Sequence, residues 1–210
     1  LYTTEAEQLA QLRQWWKRYG KMVFLGLMVV FLIIGGWRYW QGRQVRLEAE
    51  ASILFDHLLV SKDKNDNAAF EGQGNYLLNT YPRTLYAQMG ALIMAGVAVD
   101  QNQLDNAKER LQWVIDDGRH TFMRQLARLR LARIQLALHD YQAAQKTLQK
   151  IEDKSYSAEV HGLEGDIARA QGNIALADQH YQQALKDMTK DTDLRLLYQL
   201  KQQQLPKATQ

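Results

Sequence analysis

Two patterns divide this chain. From Met22 to Trp37, 16 consecutive residues include no charged or strongly polar side chain. From about residue 43 onward, apolar residues instead return at spacings of three and four, with almost no β-branched runs. The first pattern predicts a helix that is apolar on every side, and the second a succession of amphipathic helices interrupted at Asn, Asp, Gly and one Pro.

Reading the apolar run through to Trp40 gives 19 residues with Arg38 as its one charge. At ~1.5 Å per residue that approaches the ~30 Å of bilayer hydrocarbon. Trp15, Trp16 and Tyr19 stand before the run and Trp37, Tyr39 and Trp40 close it, as in the two aromatic belts of a membrane helix. The expectation is a signal-anchor helix over residues 22–40, with Met22, Phe24, Leu25, Leu27, Phe31, Ile33, Trp37 and Trp40 facing lipid. A cleaved signal peptide is the rival reading. Against it, the run exceeds the ~7 to 15 residues of a signal's apolar region, and Trp37-Arg38-Tyr39-Trp40 occupies the place of a small-residue cleavage site. Gly26 is followed four residues later by Val30, so no GxxxG dimer motif is present.

The later segments repeat. Aligned on Ala107, Ala144 and Ala177, they stand 37 and 33 residues apart, near the ~34-residue tetratricopeptide period. Twelve residues earlier come Ala95, Ala132 and Gly165, small where paired helices approach closely. Three residues before each anchor come Leu104, Tyr141 and Ile174, which open the second helix of each pair. Leu111, Leu148 and Tyr181 follow by four, and Val114, Ile151 and Ala184 by three more, on the face toward the next pair. Asp100-Gln101-Asn102, His139-Asp140 and Gly172-Asn173 supply the turns. One helical hairpin cannot bury its apolar stripe alone, so registered copies that stack give the pattern a physical reason. An irregular bundle with chance alanines is the alternative. A degenerate first pair is expected over about Val45 to Val60 and Ala68 to Thr80, with a solvated loop from Ser61 to Asn67 and a stop at Tyr81-Pro82. The segment from Asp193 reads as a capping helix followed by a frayed tail. The fold class is therefore all-α: a transmembrane helix, then a tetratricopeptide-like α-solenoid over residues 41–210.

Charge changes this picture little. The net charge of the 210 residues is +3, but beyond residue 40 the 21 basic and 21 acidic residues balance, which disfavours a nucleic-acid partner. Four basic residues precede the span (Arg13, Lys17, Arg18, Lys21) and three follow it (Arg38, Arg43, Arg46). That bias places residues 1–21 in the cytoplasm and the long domain outside the inner membrane. With no cysteine, disulfides, thiolate metal sites and thiol nucleophiles are excluded.

Catalytic chemistry finds no foothold. His57, His120, His139, His161 and His180 form no metal-ligating helical spacing, the Gly-x-Gly of Glu71 to Tyr76 follows no strand, and no serine sits in a nucleophile elbow. No cofactor or metal is expected, and no enzyme. The arginines Arg119, Arg124, Arg128, Arg130 and Arg133 offer either a patch for an acidic partner or lipid head groups or, as the simpler reading, a solvated helix face interleaved with Leu126, Leu129 and Leu131. The better candidate is a groove lined by the first helix of each pair. Met89, Leu92, Gly96 and Val99 line its first part, Leu126, Leu129 and Arg133 its second, and Glu159, Asp166 and Arg169 its third. Its rival occupant is the C-terminal helix, folding back through Leu196, Leu197 and Leu200.

An anchor ending in "GWRYWQ" (Gly36 to Gln41), a central "LRLARIQLAL" (Leu129 to Leu138) and a closing "LLYQLKQQQL" together resemble the YfgM family, ancillary subunits of the bacterial SecYEG translocon. The resemblance spans essentially the whole chain. It implies an inner-membrane protein with a periplasmic tetratricopeptide-like domain, partnered by the translocon, by a PpiD-like membrane-anchored chaperone and by exported client proteins. Its implied role is the handling of newly exported proteins. A structural subunit of another envelope or secretion complex is the alternative.

Overall fold

A computed structural model describes residues 5–188 and 193–206. The chain divides into two compact units, one up to Ala49 and one from Glu50.

The first unit carries the apolar run on helix α1, Glu5–Asp63. Only 6% of the most apolar 18-residue window of this helix is buried, unlike the mostly buried core helix of a soluble domain. Among the described residues, this is the one helix long and apolar enough to cross a membrane. All eight expected lipid-facing residues are exposed, from Trp40 at 44% to Phe31 at 79%. The belts also cohere locally: the rings of Trp37 and Trp40, one helical turn apart, lie 5.8 Å apart, and those of Trp15 and Tyr19 lie 5.9 Å apart.

Separate helices over residues 22–40 and from Val45 are not found. Helical structure runs without a break from Glu5 to Asp63: Gln41-Gly42-Arg43-Gln44 contains no proline, and the single Gly42 is tolerated inside the helix at a cost of about 1 kcal/mol. The expected loop from Ser61 to Asn67 contracts to a turn over residues 64–66.

The second unit adds α2 (Asn67–Thr80), α3 (Leu85–Asp100), α4 (Leu104–Asp117), α5 (Thr121–Ala137), α6 (Tyr141–Leu148), α7 (Ser157–Ala170), α8 (Ile174–Asp187) and α9 (Asp193–Gln203). Four turns share one design. Asn65, Asn102, His139 and Gly172 all adopt left-handed φ, between 55° and 79°, at intervals of 37, 37 and 33 residues. Asn and Gly tolerate that conformation. His139 is the exception, and its ring nitrogen lies 2.9 Å from the Tyr141 hydroxyl. The next residue caps the second helix: Asp66, Asp140 and Asn173 accept from Ala69, Ala143 and Leu176 backbone N–H groups at 3.0, 3.0 and 3.2 Å. Gln103 holds the same place in the second turn, and its longer side chain makes no cap bond.

The repeat columns are core. Ala107, Ala144 and Ala177 are fully buried, as are Val114, Tyr181 and Ala184. One member departs: α6 ends at Leu148, so Ile151 packs from a turn in which its N–H donates to the Leu148 carbonyl at 2.9 Å. The buried residues form three clusters in series, the first joining the end of α1 through α5, the second α5 to α7, and the third α7 to α9. Helix α5 serves both neighbours: Met123, Ala127, Leu131 and Ile134 face the first cluster, and Leu129 and Ala132 the second.

Candidate partner-binding groove

The first helices of successive pairs, α3, α5 and α7, carry the proposed groove residues, and the structure separates them. Leu92 and Leu129 are 4% and 3% exposed and belong to the core. A charged substitution at either therefore tests folding rather than binding. Met89 and Leu126 are half-buried against the first core cluster. Val99 is 42% exposed and Arg133 is exposed.

Val99 and Arg133 meet at one place, a cavity of about 390 Å³ between α3 and α5. Its apolar lining is Ala95, Val99, Leu111 and Ile134, and its polar rim is Arg130, Arg133 and Asp100. It is open at Gly96, where an added Cβ meets nothing within 4 Å. Arg130 is fixed by donating from Nη1 to the Leu92 carbonyl at 3.1 Å. Burial, then the neighbouring Arg133 charge, lowers the Arg130 guanidinium from its ordinary range.

The arginine cluster thus splits by helix face. Arg124 and Arg128 are half-buried and donate to Thr121 Oγ1 and Gln125 Oε1, each at 3.2 Å, on their own helix. Only Arg130 and Arg133 border the cavity.

The third part of the groove is covered. Asp166 accepts from Lys201 Nζ at 2.6 and 2.9 Å and from the Tyr181 hydroxyl at 2.8 Å. Helix α9 therefore packs against α7, and against α8 through Gln202 and Arg195, which donate to Asp178 and to the Leu185 carbonyl. It does so through Tyr198 and Lys201, with Leu205 buried just beyond the helix. Leu196, Leu197 and Leu200, the residues expected to fill the groove, are 43–58% exposed. The determinant is Gly162, where a Cβ would lie 2.1 Å from the Tyr198 ring. A glycine notch accepts an aromatic ring that no apolar stripe in α9 announces.

One polar cluster spans two helices, so no spacing along the sequence announces it. His161 and His180 stack with ring centroids 6.2 Å apart, and each Nδ1 meets a carboxylate, Asp187 at 2.9 Å and Glu164 at 3.2 Å. No group of three or more metal-ligating side chains occurs among the described residues.

An exposed apolar helix ahead of stacked helical pairs, with an open seam between two of them, defines the class of membrane-anchored interaction scaffolds. The chain belongs to the tetratricopeptide repeat-like domain family, whose model matches residues 13–207. Its relatives include ancillary SecYEG translocon subunits, in line with the resemblance read from the sequence. That of Aggregatibacter actinomycetemcomitans is 28% identical over 87% of this chain and 90% of its own length. The Escherichia coli subunit is 25% identical, covering 82% and 83%, and the Neisseria gonorrhoeae subunit 26%, covering 94% and 95%.

Proposed function

We propose that this chain is a single-pass inner-membrane protein with residues 1–21 in the cytoplasm and its tetratricopeptide-like domain in the periplasm. There it associates with the SecYEG translocon and cooperates with a PpiD-like anchored chaperone in handling newly exported proteins. The observation that carries this reading is similarity along nearly the full length to ancillary SecYEG translocon subunits, anchor and solenoid together. The basic bias before the span supports the orientation. Tethering adds a physical argument: a domain confined beside the channel meets its partners at high effective concentration, so weak contacts suffice.

The test is protease accessibility in spheroplasts, followed by mild-detergent capture with the full-length protein. Digestion of the domain from the outside, with recovery of translocon components and an anchored chaperone, is the expected result. A domain protected until the membrane is broken would overturn the orientation. Capture without translocon components would overturn the association.

A further inference from the structure

The repeat register supplies an internal template for the open seam. Gly96, Arg133 and Asp166 occupy the same position in α3, α5 and α7, at intervals of 37 and 33 residues. Where α7 meets α9, this position is a carboxylate, and it is satisfied: Asp166 is 12% exposed and paired with Lys201. Where α3 meets α5, the position is Gly96, and the carboxylate is missing. Arg130 and Arg133 line this cavity from α5. Among the described residues no carboxylate is paired with Arg130 or Arg133, although Arg130 is held in place by the Leu92 carbonyl.

We propose that the cavity between α3 and α5 receives a carboxylate from a protein partner, carried on an acidic residue flanked by apolar ones. The acid completes the pairing with Arg130 and Arg133, and the apolar flank covers Ala95, Val99 and Ile134. Three features fix this chemistry. Arg130 and Arg133 line the same cavity and the Arg133 charge acts on Arg130, which favours an anion between them, and their planar donors suit a carboxylate. The lining between them is apolar and the volume of about 390 Å³ suits one or two side chains rather than a polyanion. Asp100 on the same rim disfavours a second acid beside the first. The inference rests on the proposed interaction role and deepens it by naming what the groove recognises.

Substitution at Gly96 tests it without touching the core, because the added atoms enter open space. Gly96→Asp supplies the carboxylate from within, as Asp166 does in the filled seam, and Gly96→Ala is the uncharged control. The probe is an end-capped fluorescent peptide with a central aspartate between leucines, compared with its asparagine counterpart, on the full chain in detergent. The expected result is preference for the aspartate peptide, weakened about tenfold or more by Gly96→Asp and by Arg133→Glu and largely kept by Gly96→Ala. Gly96→Asp should also melt above Gly96→Ala, with a margin that shrinks in high salt.

Equal binding of the two peptides, or undiminished binding to Gly96→Asp, overturns the inference. Membrane capture separates this from the wider reading. If wild type and Gly96→Asp recover translocon components equally, the association stands and the seam site falls. If neither recovers them, the association falls while the peptide preference still decides the site.

Discussion

The seam between α7 and α9 and the seam between α3 and α5 are built from the same repeat positions and end in opposite states. In the first, Tyr181 fills the space that Gly165 leaves, Tyr198 fills that of Gly162, and Lys201 neutralises Asp166. In the second, Gly96 leaves space that nothing fills, and two arginines face it. A repeat fold can thus keep its backbone register while one small residue decides whether a seam is closed by the chain or offered to a partner.

The largest expected effect falls in the filled seam. Tyr181 is 0% exposed and its hydroxyl donates to Asp166, so Tyr181→Ala should cost about 3–5 kcal/mol, read as a fall in the urea midpoint. Asp166→Asn should cost about 1–3 kcal/mol, because Lys201 loses its partner at a site where its side chain is 22% exposed. The double substitution Asp166→Asn with Lys201→Met should recover part of that loss. A full additive loss would show that the pair is not what closes the seam.

Titration separates the same contacts at both ends of the pH scale. Burial leads in pushing the Tyr198 phenol up to about 12; the Arg133 charge opposes it, and the Asp166 and Glu159 charges add to it. A raised folded value means that this contribution is complete below the unfolded value of ~10 and is lost as pH rises through about 12. Tyr198→Phe should remove that alkaline loss, monitored by helix content against pH. Asp187 behaves oppositely. Burial pushes its carboxyl up, but hydrogen bonds with Ser157, His161 and Gln183 outweigh burial and hold it below the ordinary range. Its contribution is present above the unfolded value of ~4 and is lost as pH falls through the folded one. Asp187→Asn should therefore flatten the acid limb of stability.

The smallest effect belongs to the open seam. Gly96→Ala lies inside α3 and meets no neighbour, so it should stabilise by about 0.5–1 kcal/mol through helix propensity alone. A destabilisation there would mean that the seam closes in solution.

How much of this was legible depended on side-chain volume. The later pairs announced themselves because their columns keep small residues small: Ala95, Ala132 and Gly165 against Leu111, Leu148 and Tyr181. The first pair keeps the register but inverts the sizes. Leu58 stands where the others have Ala or Gly, Phe70 where they have Ala, and Gly74 where they have Leu or Tyr. Met94 occupies the place of the missing Gly74 side chain, 2.3 Å from where its Cβ would be. Volume is conserved across the contact while each column loses its pattern, so a column-by-column reading sees degeneracy where packing sees compensation. The groove was half legible for a related reason. Periodicity placed Leu92, Val99, Leu129 and Arg133 on first helices, but which of them a neighbouring helix buries depends on contacts that no single helix encodes. The histidine pair was illegible for the same reason.

The most direct test of the account is site-specific photo-crosslinking in membranes from two exposed positions, Val99 at the open seam and Leu176 on α8. The account predicts an adduct with a translocon or chaperone component from Val99, lost on Gly96→Asp, and none from Leu176. Adducts from Leu176 alone, or Val99 adducts that survive Gly96→Asp, would contradict it.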